Sequence, residues 1–323
     1  MGLLVDGVWR DQWYDTASTG GRFQRQQSRF RKWITSDGSS GFPAEPGRYH
    51  LYVSYACPWA HRTLIFRALK GLEGAVSIAI VQPLMLENGW ELAEGADSVN
   101  GARYLYEVYR KAKPDYTGRI TVPTLWDTRT QTIVSNESAD IIRMFNSAFD
   151  QSGAKPGDCY PTHLRNDIDQ VNERVYATVN NGVYRAGFAT SQEAYEEAYD
   201  ELFVTLDWIE ERLAHHRYLV GNRITEADWR LFTTCVRFDP VYYSHFKCNR
   251  RRLVDYPNLW AYIRELYQVP GVAGTVKLDH IKLHYYGSHK TVNPTSIVPK
   301  GPEIDFAEPH RREALCPEAG VTA

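Results

Sequence analysis

The chain has 323 residues, 43% hydrophobic and 24% charged, an ordinary globular balance in a length greater than one hydrophobic core organises. Two packed domains with a tail are therefore predicted. With 37 basic residues against 39 acidic ones the net charge is -2, which gives no attraction to a nucleic-acid backbone or an anionic membrane, so neither is a predicted partner.

The opening Met1-Gly2-Leu3-Leu4-Val5 meets Asp6 at once, leaving no apolar stretch for a signal peptide, and Asp6 stands where myristoylation requires Ser or Thr. No later run reaches the roughly 18 to 20 apolar residues of a membrane-spanning helix. The five cysteines, Cys57, Cys159, Cys235, Cys248 and Cys316, are odd in number, scattered and without a Cys-x-x-Cys pair, which suits a reducing compartment. A soluble, cytoplasmic protein is the expectation.

Residues 1–47 carry Arg22, Arg25, Arg29, Arg31 and Lys32 among aromatics without a sustained period, and read as an irregular N-terminal extension. From Tyr49 the pattern changes. A strand at 50–54, a helix through Arg62–Leu69 and a second strand at 75–81 make a βαβ unit, whose crossover favours a parallel pair. After an insertion at about 82–118 come two short strands, 122–127 and 132–134, and a helix from about Ser138 to Phe145. This order predicts an α/β thioredoxin-like domain over 48–150.

Beyond residue 160 helical periods take over, at about 162–180, 191–214, 225–239 and 256–267, so 160–286 is predicted to be all-α. Thr190 with Glu193, and Thr225 with Asp228, have capping-box spacing, and Ile224 and Trp229 that of a hydrophobic staple. Pro294, Pro299, Pro302, Pro309 and Pro317 make 287–323 an extended tail.

Chemistry concentrates at Tyr55-Ala56-Cys57-Pro58-Trp59-Ala60-His61-Arg62, where a strand becomes a helix. Proline suits the first helical turn, which puts Cys57 at the N-cap, facing unpaired N–H groups and the positive end of the helix dipole, a setting that favours thiolate. The other four cysteines read as small buried residues. Trp59-Ala60 leaves Cys57 without a resolving partner in the motif, so a small-molecule thiol must complete any redox cycle.

Val122-Pro123 is predicted to be cis, turning the backbone N–H and C=O of Val122 toward the cysteinyl backbone of a bound peptide. Ser138, at the start of a helix, forms an anion site for a carboxylate, and Glu137 beside it accepts an α-ammonium or serves as a plain cap. His280 and His284 lie four apart but lack a third ligand at matching spacing, so no metal is predicted. Arg250-Arg251-Arg252 reads as a solvated loop.

Together the Cys57-Pro58-Trp59-Ala60 motif, Val122-Pro123, Glu137-Ser138, the Thr225–Asp228 box and the long C-terminal extension resemble the glutathionyl-hydroquinone reductases, the xi class of glutathione transferases, over about residues 1–305. The Tyr-rich segment at 283–289 and the N-terminal arm favour this class over the omega class and the glutaredoxins. The resemblance implies a glutathione transferase fold, a homodimer, Cys57 as nucleophile, and glutathione as co-substrate held by Trp90, Arg119, Val122, Glu137 and Ser138. It further implies that Tyr184 and either Tyr285 or Tyr286, with Tyr285 taken as the match, meet the ring of an aromatic glutathionyl-hydroquinone. Two rivals remain open at this point: an omega-like thiol transferase or dehydroascorbate reductase, and a non-catalytic interaction module of the same fold.

Overall fold

In the computed structural model, which describes residues 2–315, the βαβ unit is built on a fully buried central strand. The described chain carries β1 (Leu3–Val5), β2 (Val8–Arg10), β3 (Tyr49–Val53), α1 (Pro58–Leu69), β4 (Val76–Leu86), β5 (Gly89–Leu92), α2 (Leu105–Ala112), β6 (Gly118–Arg119), β7 (Thr124–Asp127), β8 (Thr132–Ser135) and α3 (Ser138–Ser147). Strand β3 runs parallel to β4 and antiparallel to β7, in a five-stranded sheet of order β5-β4-β3-β7-β8. All five β3 residues are buried, as expected of a strand covered on both faces.

Helices follow: α4 (Arg165–Val175), α5 (Gly182–Gly187), α6 (Gln192–His215), α7 (Glu226–Arg237), the single turn α8 (Tyr243–His245), α9 (Pro257–Tyr267) and α10 (Leu278–Ser288). The chain divides into two units. The first contains the residues up to Trp13, Arg25–Pro156 and Asp279–His284; the second contains Tyr14–Gln24, Gly157–Leu278 and the residues from Tyr285 onward.

Within the first unit the expected elements lie within a few residues of their predicted bounds, with two differences. The N-terminal extension is not irregular throughout: β1 and β2 form a hairpin, and β1 pairs with β6 in a separate three-stranded sheet. Three-residue strands are too short to show a period. The insertion is also structured, since β4 continues to Leu86, turns back as β5 and leads to α2, whose Tyr104–Glu107 capping box the sequence reading passed over. A buried bidentate pair closes the base of the sheet, with Arg48 Nε and Nη2 donating to the Asp127 carboxylate at 2.8 and 2.7 Å.

In the second unit the Thr225–Asp228 capping box is formed, the Asp228 carboxylate accepting from Thr225 N at 2.7 Å. The cap of α6 is Ser191 rather than Thr190. Ser191 Oγ accepts from Ala194 N at 3.3 Å, while the Thr190 hydroxyl turns to Thr16 at 3.0 Å. The 3.6-residue period dissolves into π-helical turns after α4 and α7, at Tyr176–Asn180 and Phe238–Tyr242. After α10 the described residues are irregular except for a turn at Arg312–Leu315. It is pinned where Arg312, 3% exposed, donates to the carbonyls of Leu213, Asn258, His216 and Arg217.

Among the described residues no helix is long and apolar enough to cross a membrane.

Candidate active site

Cys57 is the N-cap of α1, with extended backbone (φ -78°, ψ 121°) and Pro58 at the first helical position. The Cys57 carbonyl accepts the first helical bond, from His61 N at 3.0 Å, while its own N–H donates to Ser54 O at 3.2 Å. The thiol makes no capping bond; it lies 3.5 Å from the Val122 carbonyl, within reach as an S–H donor, and is partly exposed. The Val122-Pro123 peptide is cis, as the sequence reading expected.

Cys57 has the accessibility a nucleophile needs, whereas burial holds the other described thiols protonated. Burial pushes the thiols of Cys235 and Cys248 well above the usual range and that of Cys159 up to about 12. Cys235 and Cys248 are the buried residues expected, Cys159 is partly exposed, no disulfide joins these four, and Cys316 lies outside the described residues.

Helix α3 opens at Ser138, where the sequence placed its start. Glu137 itself is the N-cap, its Oε1 accepting from Ala139 N at 3.1 Å and its Oε2 from the Ser28 hydroxyl at 3.0 Å. Each oxygen keeps a further lone pair for an incoming ammonium. Ser138 is buried, and the Arg62 guanidinium, 1% exposed, lies 3.5 Å from its hydroxyl. Arg62 also stacks over Trp59 at 4.5 Å, and Arg25 over the same ring at 5.0 Å. The neighbourhood of Cys57 therefore combines two helix N-termini and a buried cation, a setting for anionic groups.

Trp90 and Arg119 belong to the same unit. The Trp90 indole, 7% exposed, stacks on His284 at 5.0 Å and 17°, and His284 is fixed by a 2.8 Å bond between its Nδ1 and the Pro83 carbonyl. Arg119 donates to two carbonyls of the N-terminal arm, those of Gln12 and Trp13, the latter at 2.8 Å. His280 packs edge-on against Tyr55, and no group of three or more His, Cys, Asp or Glu side chains capable of holding a metal occurs among the described residues.

The second unit holds a phenol cluster. Tyr184 and Tyr285 hydroxyls are 2.5 Å apart, and Tyr242 OH lies 2.9 Å from Tyr285 OH. Burial holds the phenols of Tyr242 and Tyr285 in the protonated form well above their usual range. Tyr286, the alternative to Tyr285, points elsewhere, to the Ser244 hydroxyl at 2.5 Å and the Pro240 carbonyl at 3.2 Å. The sequence reading missed Tyr242 and Ser28, and it weighed His284 as a metal ligand without foreseeing its stacking on Trp90. Tyr242 follows Asp239-Pro240 at the π-helical turn, and such an irregularity leaves no periodic trace.

Residues 56–148 match the family model of the glutathione S-transferase N-terminal domain and residues 192–265 that of the C-terminal domain. The chain is 58% identical to glutathionyl-hydroquinone reductase YqjG of Escherichia coli K12, covering 97% of this chain and 99% of that protein. It is 59% identical to glutathionyl-hydroquinone reductase PcpF of Sphingobium chlorophenolicum, over 94% of this chain and 96% of that one. The glutathione-bound structure of YqjG superposes with a TM-score of 0.89 at 54% identity, covering 97% and 99% of the two chains. A xi-class glutathione transferase from Natrialba magadii gives 0.91 at 50% identity, covering 97% of each. The chain therefore belongs to the glutathione transferases and, within them, to the xi class of the glutathionyl-hydroquinone reductases.

Proposed function

We propose that the chain is a glutathionyl-hydroquinone reductase, an oxidoreductase that removes glutathione from glutathionyl-hydroquinones, and that Cys57 is its nucleophile. The observation that carries the assignment of Cys57 is its position as the accessible N-cap of α1, directly before a proline that starts the helix. The reaction is that named for the two curated relatives.

In the first step the Cys57 thiolate attacks the thioether sulfur of the substrate. A sulfur–sulfur bond forms, the bond from sulfur to the ring carbon breaks, and the electron pair leaves with that carbon, which takes a proton to give the hydroquinone. In the second step the thiolate of a second glutathione attacks the glutathionyl sulfur of the mixed disulfide, releasing oxidised glutathione and restoring the Cys57 thiolate. The ring carbon gains two electrons, one from the glutathionyl sulfur already bonded to it and one from the thiol of the single free glutathione consumed.

Trp90, Arg119, Val122, Glu137 and Ser138 hold glutathione in this reading, the helix start at Ser138 receiving a carboxylate and Glu137 an ammonium. Tyr184 and Tyr285 meet the quinol ring, where protonated phenols supply hydrogen bonds to the developing charge and a proton source. A cytoplasmic homodimer is part of the same reading; the unbridged cysteines are compatible with a reducing compartment, and the dimer rests on family resemblance. The test is a mass spectrum of the protein after mixing with a glutathionyl-hydroquinone in the absence of free glutathione. One added glutathione on the peptide carrying Cys57, with hydroquinone released, is the expected result; no adduct, or an adduct on another cysteine, refutes it.

A further inference from the structure

Trp90 and Arg119 stand on segments far apart in sequence, and both are held by the same short N-terminal arm. At one end the Trp9 indole donates from Nε1 to the Glu87 carbonyl at 3.0 Å and stacks on Tyr106 at 5.0 Å and 22°. Its ring lies so close to Gly89 that a Cβ there would meet Trp9 Cη2 at 2.7 Å, and Gly89 also has a φ of +72°, so the turn is shaped for glycine twice over. Glu87 and Asn88 are the turn between β4 and β5, Gly89 opens β5, and Trp90 is the next residue.

At the other end Leu3 pairs with Arg119 in the β1–β6 ladder, and Asp6 N and Gly7 N donate to Thr117 Oγ1 at 2.8 Å and Tyr116 O at 3.0 Å. The Arg119 guanidinium is then received by the Gln12 and Trp13 carbonyls. A guanidinium held by two main-chain oxygens loses much of its rotamer freedom, and an indole wedged against a turn fixes the ring that follows it. Both effects belong to pre-organisation, where a small misplacement weakens a ligand contact.

We propose that residues 2–13 are a positioning element of the glutathione site, with Trp9 as the positioning residue that sets Trp90. The proposal rests on the reading of Trp90 and Arg119 as glutathione contacts. Trp9 touches neither substrate in this account; it acts through the turn.

The experiment compares Trp9→Ala, Trp9→Phe and Trp90→Ala in the full chain, measuring the glutathione dissociation constant by calorimetry and the thermal midpoint in parallel. Trp9→Ala is expected to weaken glutathione binding on the order of tenfold, the scale of one lost aligned contact, with the far-ultraviolet circular dichroism unchanged. Trp9→Phe, which keeps a ring against Tyr106 but loses the N–H to Glu87, should fall between Trp9→Ala and wild type. A lowered midpoint with unchanged affinity in both Trp9 variants would assign the arm to stability alone and overturn the proposal, as would failure of both to fold. Wild-type affinity in Trp90→Ala would instead refute the reading of Trp90, and the positioning role would fall with it.

Discussion

The Tyr285 hydroxyl lies 2.5 Å from that of Tyr184, with Tyr242 2.9 Å away on its other side. Three phenols in one chain of hydrogen bonds share two protons between them, leaving a third to donate outward, and burial keeps Tyr242 and Tyr285 protonated well beyond neutral pH. Changing Tyr285 to Phe breaks the chain at its centre. The variant is expected to slow reduction of a glutathionyl-hydroquinone by about 100-fold, the scale for losing one donor to developing charge, while leaving reduction of a small glutathione mixed disulfide nearly unchanged. Steady-state rates on the two substrates decide the matter, because equal losses on both would mark Tyr285 as a packing residue.

Glu137 has two tasks that a pair of substitutions separates. As N-cap it holds Ala139 N–H, and in the proposed site it receives the ammonium of glutathione. Glu137→Gln keeps a carbonyl oxygen for the cap and loses the charge, so the thermal midpoint should hold while glutathione binding weakens by about 1.5 to 3 kcal/mol. Ser138→Ala should weaken binding by about 0.5 to 1.5 kcal/mol through its neutral hydroxyl. Calorimetric titration that gave wild-type affinity for both would remove the pair from the glutathione site.

Alkaline stability follows from the buried phenols. Burial raises Tyr52, Tyr116, Tyr218, Tyr242, Tyr262 and Tyr285 above the usual tyrosine range. The unfolded chain releases these protons from about pH 10, whereas the folded chain retains them, so their contribution is complete below pH 10 and is lost as pH rises toward the folded values. Each such group removes up to about 1.4 kcal/mol per pH unit in that window. The buried thiols of Cys235 and Cys248 act with the same sign from about pH 8.5. Urea midpoints should therefore hold between pH 7 and 8 and fall steeply from about pH 9 to 11; a flat profile would contradict it.

The thioredoxin-like unit was legible because its signals are local. Strand composition at Tyr49–Val53, Cys57-Pro58 at a strand-to-helix turn, and Val122-Pro123 each sit within a few residues, and the structure forms the N-cap and the cis bond there. Trp9, Ser28 and Tyr242 were illegible for the converse reason. Trp9 meets Glu87, Ser28 meets Glu137 and Tyr242 meets Tyr285 only after the chain has folded, and no spacing rule links residues so far apart. The cap of α6 shows a finer limit: Thr190 and Ser191 both satisfy the cap preference, and the choice fell to Ser191 because Thr190 had a partner in Thr16.

Cys57→Ser isolates the chemistry from the fold. The native thiol makes no capping bond at α1, whereas serine is among the preferred N-cap residues, so its hydroxyl gains an acceptor role toward the N–H groups of the first turn. The variant should therefore match or exceed the wild-type thermal midpoint, by a stabilisation of up to about 1 kcal/mol. Its glutathione-dependent reduction of glutathionyl-hydroquinones should nevertheless fall to the uncatalysed background, since an alcohol cannot form the mixed disulfide through which both steps run. The wild-type enzyme should show parallel lines in double-reciprocal plots at several fixed glutathione concentrations, the pattern of a covalent intermediate formed and discharged in turn. Retained turnover in a well-folded Cys57→Ser variant, or intersecting lines for the wild type, would mean that glutathione attacks the substrate directly, and Cys57 would then be an N-cap and nothing more.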